Sequence, residues 1–327
     1  MRCPNPRIAK MAYGTDKRNR LFRELAADYQ KHCARSEATV ACPLCLREHN
    51  LANVANLTRE HIVPSKLGGR SQTLTCRKCN NTQGSYLDSH LIALMKSLDA
   101  IEGAGPIETS VIDDNGKIAA ELLLGAGTPD EPTIIQIVGQ ASNVDAVQNL
   151  RNRMSDGPTI ELRMNFPFIP ERYVRAAVRA AFLSVFRVQG YEYALSLGAQ
   201  DVRTILSTGS PILKNMVVEA FPERDPATDL LVMPASFSDF GEYYAVLLRL
   251  QTKRTRYLGV FLPGKRSRDW TALGALYHHA PRLRLETTPD GWDSKLYIQF
   301  GWNPMDQFRK GLQNLLAPES RRSFKGN

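Results

Sequence analysis

Glu60 and His61 stand side by side in TREHIVPSKLGGR, residues 58–70, followed by a proline and a double glycine. An imidazole exchanges a proton near neutral pH, and a carboxylate beside it offers oxygen to a hard cation. Whether the pair is a surface accident or the working centre of a metal-dependent enzyme is decided by its flanks, CPLC at 42–45 and CRKCN at 76–80. Cys42-x-x-Cys45 and Cys76-x-x-Cys79 have the spacing of two zinc knuckles, each offering two thiolates from one side of a short turn. Four sulfur ligands leave no open coordination position, so the zinc they imply is structural, a clamp on the segment between. Fourteen residues separate Cys45 from Glu60, and fourteen separate His61 from Cys76. Asn80 follows the last cysteine directly, where a helix should begin.

An acidic-His pair ending one strand, a Gly-rich loop to a second strand, and C-x-x-C-N opening a helix resemble the HNH endonucleases of the ββα-metal class. The arrangement is similar to the zinc-clamped type seen in phage endonuclease VII, and the resemblance covers roughly residues 40–90. It implies His61 as the general base that takes a proton from the attacking water. It implies Glu60 and Asn80 as oxygen ligands of one catalytic divalent cation, magnesium or manganese, which stabilises charge on the scissile phosphate and the leaving 3′ oxygen. Two positions depart from the family pattern. Glu60 stands where the acid is usually Asp, and the middle Asn of the second strand is absent, with Ser71, Gln72 and Thr73 in that stretch. A backbone carbonyl or Gln72 takes over its task of orienting the base.

The rest of the chain must hold this segment in place. Its 327 residues are 43% hydrophobic and 23% charged, as in a soluble globular protein. No apolar run approaches a membrane span, and the first twenty residues lack the apolar stretch of a secretory signal, so a cytoplasmic location is expected. Charge is uneven: residues 1–100 carry 16 Lys+Arg against 8 Asp+Glu, leaving 26 against 25 for the remainder of the +9 total. An excess gathered on the Cys/His segment is the footprint of a polyanion. Cys3 and Cys33 read as free thiols.

Residues 15–36 read as an amphipathic helix with Leu21, Leu25, Ala26 and Tyr29 on one stripe. Lys17, Arg18, Arg20 and Arg23 crowd its first half against the helix dipole, the mark of a solvated turn or of a phosphate neighbour. A further helix runs through SYLDSHLIALMKSLDAI, and EGAGP at 102–106 marks a boundary. Asn115-Gly116 signals a hairpin, and TIIQIVGQ and TIELRMNF read as strands. Residues 171–189 form an apolar core helix closed by Gly190. Strands are expected at 243–250, 256–262, 282–287 and 295–300, with a terminal helix near 305–316.

The expected fold is α+β: residues 1–104 form a ββα-metal HNH nuclease domain with a zinc-knuckle clamp, and residues 105–327 a larger α+β domain that regulates cutting, selects targets or binds a protein partner. Each half is expected to fold alone, with nicking in the first. Asp88 and His90 read as helix-surface or packing residues, and His49 and His278-His279 as surface residues. Arg172, Arg175 and Arg179, with Lys253-Arg254-x-Arg256 and Lys265-Arg266-x-Arg268, are candidate phosphate contacts or solvated faces. The expected function is divalent-metal-dependent endonuclease action on nucleic acid, DNA rather than RNA, in restriction or anti-phage defence, without a membrane. The rival is a catalytically inactive zinc-containing DNA-binding or assembly subunit.

Overall fold

The computed structural model describes residues 6–35, 37–113, 116–124, 135–139, 161–208, 217–222, 225–226, 228–237, 241–266, 282–285 and 296–299, with isolated positions from 145 to 152. The terminal helix expected near 305–316, Cys3, Arg268, Asn115 and His278-His279 lie outside the described residues. Contacts gather the chain into two compact units, one of Met1–Leu91, Ile169–Gln251 and Thr255–Trp302, the other of Ile92–Phe168, Thr252–Arg254 and Asn303–Asn327. Neither unit is one stretch of chain.

The first unit opens with helix α1, Pro6–His32. Leu21, Phe22, Leu25, Ala26 and Tyr29 are buried along one stripe of it, as the apolar spacing requires. Because α1 starts nine residues before the expected Thr15, Lys17 to Arg23 sit well inside it, and their conflict with the dipole at its first turn disappears. Short strands β1, Thr39–Ala41, and β2, Glu48–Asn50, pair antiparallel across the first knuckle. Strands β3, Leu57–His61, and β4, Gln72–Cys76, make a second antiparallel pair. One helical turn, α2 (Arg77–Cys79), leads through Asn80–Gly84 into α3, Ser85–Ile101.

Helix α4, Pro170–Ala194, is the centre of this unit. Pro170 opens it at a position where no amide hydrogen is needed. Every residue from Ala176 to Phe186 is buried, so the helix is surrounded rather than laid on a surface. At Gly190 the chain turns with φ of +60°, and a Cβ there would lie 2.0 Å from the Asp28 carboxylate. That carboxylate accepts the Tyr191 amide hydrogen at 2.8 Å. The Tyr191 ring packs at a tilt against Tyr29, centroids 4.6 Å apart, and its hydroxyl donates to Ala41 O, tying α4 to α1 and β1. Helix α5, Leu197–Thr208, packs beside α4. Against α4 lies an antiparallel six-stranded sheet. Its strands are β9 (Val217–Pro222), β10 (Leu230–Phe237), β11 (Gly241–Gln251), β12 (Thr255–Pro263), β13 (Arg282–Leu285) and β14 (Leu296–Gln299), in the order β10-β11-β12-β9-β14-β13. Tyr243–Leu248 of β11 are buried in succession, the pattern of a strand covered on both faces.

The second unit is built on a four-stranded antiparallel sheet, ordered β7-β6-β5-β8. These are β5 (Pro106–Asp113), β6 (Gly116–Leu124), β7 (Ile135–Gly139) and β8 (Glu161–Met164). Ala100, Ile107 and Leu122 form its core with Ile101, Leu162 and Phe166. Mixed helices and strands make the chain α+β, as expected.

Candidate active site

The ten residues between β3 and β4 form a closed loop: Ile62 N–H donates to Ser71 O at 3.0 Å, and Leu67 N–H to Pro64 O at 2.8 Å. The double glycine serves two separate needs. Gly68 takes φ of +83°, which side chains disfavour, and a Cβ on Gly69 would sit 1.8 Å from Val63 O. Asp229, just before β10, holds the far side of the loop. Its carboxylate accepts Arg70 N–H at 2.7 Å, Ser71 N–H at 2.9 Å and the Ser71 hydroxyl at 2.8 Å. Burial pushes its pKa up, but these hydrogen bonds outweigh burial and the carboxyl lies below its usual value. Asp229→Asn is expected to destabilise the fold by about 1.5–3 kcal/mol at pH 7, the worth of hydrogen bonds to a charged group. A depressed pKa stabilises fully above the unfolded value near 3.9 and loses that contribution as pH falls through the folded value. Urea unfolding of both proteins from pH 7 to pH 3 tests this: a difference that grows toward acid contradicts it.

Strand alternation sends Glu60 and His61 to opposite faces of β3. His61 is half-buried and pairs in register with Gln72, whose amide nitrogen lies 2.7 Å from imidazole Nε2. Gln72 Oε1 is buried without a partner in this setting. Turning the amide by 180° puts Oε1 against an Nε2 hydrogen and leaves Nδ1 free to accept a proton, the setting a base requires. Gln72 thus stands where the family's middle residue is missing.

On the other face Glu60 is 5% exposed. Its Oε1 accepts from Arg179 Nη2 at 2.7 Å, a pair in which the arginine side chain is 1% exposed. Arg179 Nη1 lies 3.7 Å from Asp88 Oδ1. Breaking such a buried pair by removing one partner costs about 3–5 kcal/mol. Asn80 donates through Nδ2 to Thr58 Oγ1 at 3.0 Å, on the same face of β3 as Glu60. A Cβ on Gly84 would meet Asn80 Oδ1 at 2.5 Å, Glu60 Oε1 at 3.1 Å and Arg179 Nη2 at 3.1 Å, so these groups converge on the space glycine leaves. Two oxygen donors in that cradle suit a hard divalent cation by chemical type. Glu60 and Asn80 are therefore brought together, and His61 is held apart from them on its own partner.

Asp88, read from the sequence as a helix-surface or packing residue, joins this cluster through Arg179. On an unbroken α-helix, positions eight apart point about 80° apart. Here Asn80–Gly84 is a π turn, with Ser85 N–H reaching Asn80 O, and the extra residue brings Asp88 back toward the line of Asn80 and Gly84. Burial pushes the Asp88 carboxyl up to about 7, against the pull of Arg179 and with the repulsion of Glu60. The signal available was Gly84 itself, since glycine inside a helix often marks a close approach.

The four cysteines meet as expected, with Sγ atoms all within 4.8 Å of one another. Cys45 and Cys76 sulfurs lie 3.7 Å apart, close to the roughly 3.8 Å edge of a tetrahedron built on Zn–S bonds of about 2.3 Å. Cys76 N–H points at Cys42 Sγ at 3.3 Å and Cys79 N–H at Cys76 Sγ at 3.4 Å, so the turns already aim donors at the sulfurs. Hydrogen bonds with Cys45, Cys76 and Cys79, and burial, push the Cys42 thiol up, while Cys42 pulls Cys45 down. Four thiols in such a cage cannot all ionise unaided, and a zinc ion held there would supply the missing positive charge. The site fits structural zinc.

The arginine stripe of α4 faces the interior. Arg172 lies over the Tyr86 ring at 4.4 Å and 3.1 Å from His90, Arg175 donates to Leu206 O, and Arg179 is buried. His90 packs as expected. His49 is 4% exposed rather than on the surface, because alternation along β2 turns it inward, and desolvation lowers its pKa. Arg254 is paired with Glu102 at 3.0 Å and Lys265 with Glu192. Among the described residues no helix is long and apolar enough to cross a membrane.

Residues 42–95 match the family model of the HNH endonuclease. The match spans both knuckles, the β3–β4 hairpin and the start of α3, and includes Glu60, His61, Asn80 and Asp88. A domain of this family implies metal-dependent nuclease chemistry and a nucleic-acid partner. No curated protein and no solved structure matches the chain.

Proposed function

We propose that the chain is a divalent-metal-dependent endonuclease that hydrolyses phosphodiester bonds in DNA, with a cytoplasmic role in restriction or anti-phage defence. The observation that carries this reading is His61, held by Gln72 at the end of β3 inside a four-cysteine frame, with Glu60 and Asn80 gathered beside the same hairpin. His61 takes a proton from water through Nδ1 while that oxygen attacks phosphorus and the bond to the leaving oxygen breaks. Glu60 and Asn80 would hold magnesium or manganese, which supplies positive charge to the phosphate and the leaving 3′ oxygen. Arg59 shares the face of His61 two residues earlier and is exposed, as are Lys66, Arg70, Arg77 and Lys78, a set suited to phosphate oxygens. A protein partner would engage residues 105–327.

Purified protein incubated with duplex, single-stranded and branched DNA and with RNA, with and without magnesium, tests the reading. Magnesium-dependent cutting of DNA supports it; cutting of RNA alone moves the substrate. Gln72→Ala is expected to slow cleavage by up to about 100-fold, the scale of a misplaced catalytic group, with KM little changed. An unaltered rate would mean that Gln72 does not orient the base. The second reading, a silent zinc-containing DNA-binding or assembly subunit, draws support from Arg179, which already neutralises Glu60. Binding without cutting in every metal tested favours it.

A further inference from the structure

A charge inside a helix buried on every side must be answered by another charge. Arg179 is that charge in α4, and it is answered twice, by Glu60 through Nη2 at 2.7 Å and by Asp88 through Nη1 at 3.7 Å. Glu60 is also the carboxylate assigned above to the divalent cation, and Asn80 Oδ1 lies with it against Gly84. Guanidinium and metal ion therefore address the same oxygen. Two cations at contact distance in a buried site repel strongly, so full metal occupancy requires the guanidinium to move. Asp88 gives it somewhere to go, because Nη1 already faces that carboxylate and the π turn has carried Asp88 to this side of the helix.

Resting on the reading of Glu60 as a metal ligand, we propose that Arg179 is the resident counter-cation of this pocket: it competes with the divalent cation for Glu60, yields by shifting its hold to Asp88, and so sets the metal concentration at which the enzyme works. The position is unusual in that the competitor comes from a helix 119 residues along the chain from Glu60. It is 1% exposed, so it acts on Glu60 and does not reach out to a substrate phosphate.

The test is direct manganese binding to the zinc-loaded, full-length protein without nucleic acid, read from the loss of the free-ion paramagnetic resonance signal. Arg179→Met keeps length and removes charge, leaving two carboxylates uncompensated; it should bind manganese about ten-fold tighter or better. Asp88→Asn removes the alternative hold and should weaken binding by about three-fold or more. Arg179→Lys keeps a positive charge and should stay within about three-fold of wild type. Where Arg179→Met does not fold, Asp88→Asn and Arg179→Lys decide. Manganese affinity in Arg179→Met and Asp88→Asn within about two-fold of wild type, with binding lost in a Glu60→Gln protein that circular dichroism shows to be folded, overturns the role of Arg179 and leaves Glu60 as a ligand. Unchanged binding in Glu60→Gln overturns both assignments.

Discussion

His61→Ala yields a protein that folds, keeps its zinc and binds nucleic acid, yet cuts about 100- to 10,000-fold more slowly than wild type, the usual cost of losing a general base. The variant is clean because of where His61 sits. It is half-buried and its described side-chain partner is Gln72, so alanine removes a proton acceptor without stranding a buried charge. Glu60 offers no such test. Substituting it leaves Arg179, at 1% exposure, with its longer contact to Asp88, and a folding loss of up to about 3–5 kcal/mol would be read as a catalytic one. Plasmid nicking in magnesium, measured with zinc content and circular dichroism on the same preparation, separates the two effects. A His61→Ala protein that nicks within a few-fold of wild type ends the assignment.

Removing zinc is expected to abolish both the folded knuckle-and-hairpin region and nicking. Structural zinc contributes an apparent 10–16 kcal/mol or so in small zinc domains, as much as or more than the total stability of about 5–15 kcal/mol of an ordinary domain. Cys42 and Cys76 are almost fully buried and join the β1–β2 turn to the end of β4, so the cage is also the connection between the two strand pairs. Cys76→Ser should purify with less than one zinc per chain, or not at all, and should lose the tertiary signal of the region. Elemental analysis of wild type should give about one zinc per chain. A metal-free preparation that is fully folded and active refutes the structural role.

The site was legible in the sequence wherever its parts are close along the chain. Knuckle spacing, the Glu-His pair, the glycine loop and Asn80 all lie within forty residues, and local spacing is what a sequence displays. The strands at 241–251 and 255–263 were visible for the same reason, as long β-prone runs around a short turn. Arg179 was legible as a basic position on an apolar helix, but not as the partner of Glu60. Periodicity tells which way a residue faces on its own helix and nothing of what comes to meet it. Asp88 reaches Arg179 through a π turn, and Gly84 marks the close approach there without revealing the extra residue that carries Asp88 round. Nor does any local signal show that the core of the first unit is closed by α4 reaching back to Ala41, Asp28 and Glu60.

That reach sets an order of events in biosynthesis. At about 5–20 residues per second, the ribosome needs roughly 6–24 s to travel from Glu60 to Arg179, 119 residues later. Once Cys79 is made the hairpin and its four cysteines are complete, while the helix that pairs with Glu60 and packs on α1 is still unmade. A nascent chain therefore carries its four-cysteine cluster before it carries the charge that answers Glu60, and a truncated translation product is left without that arginine.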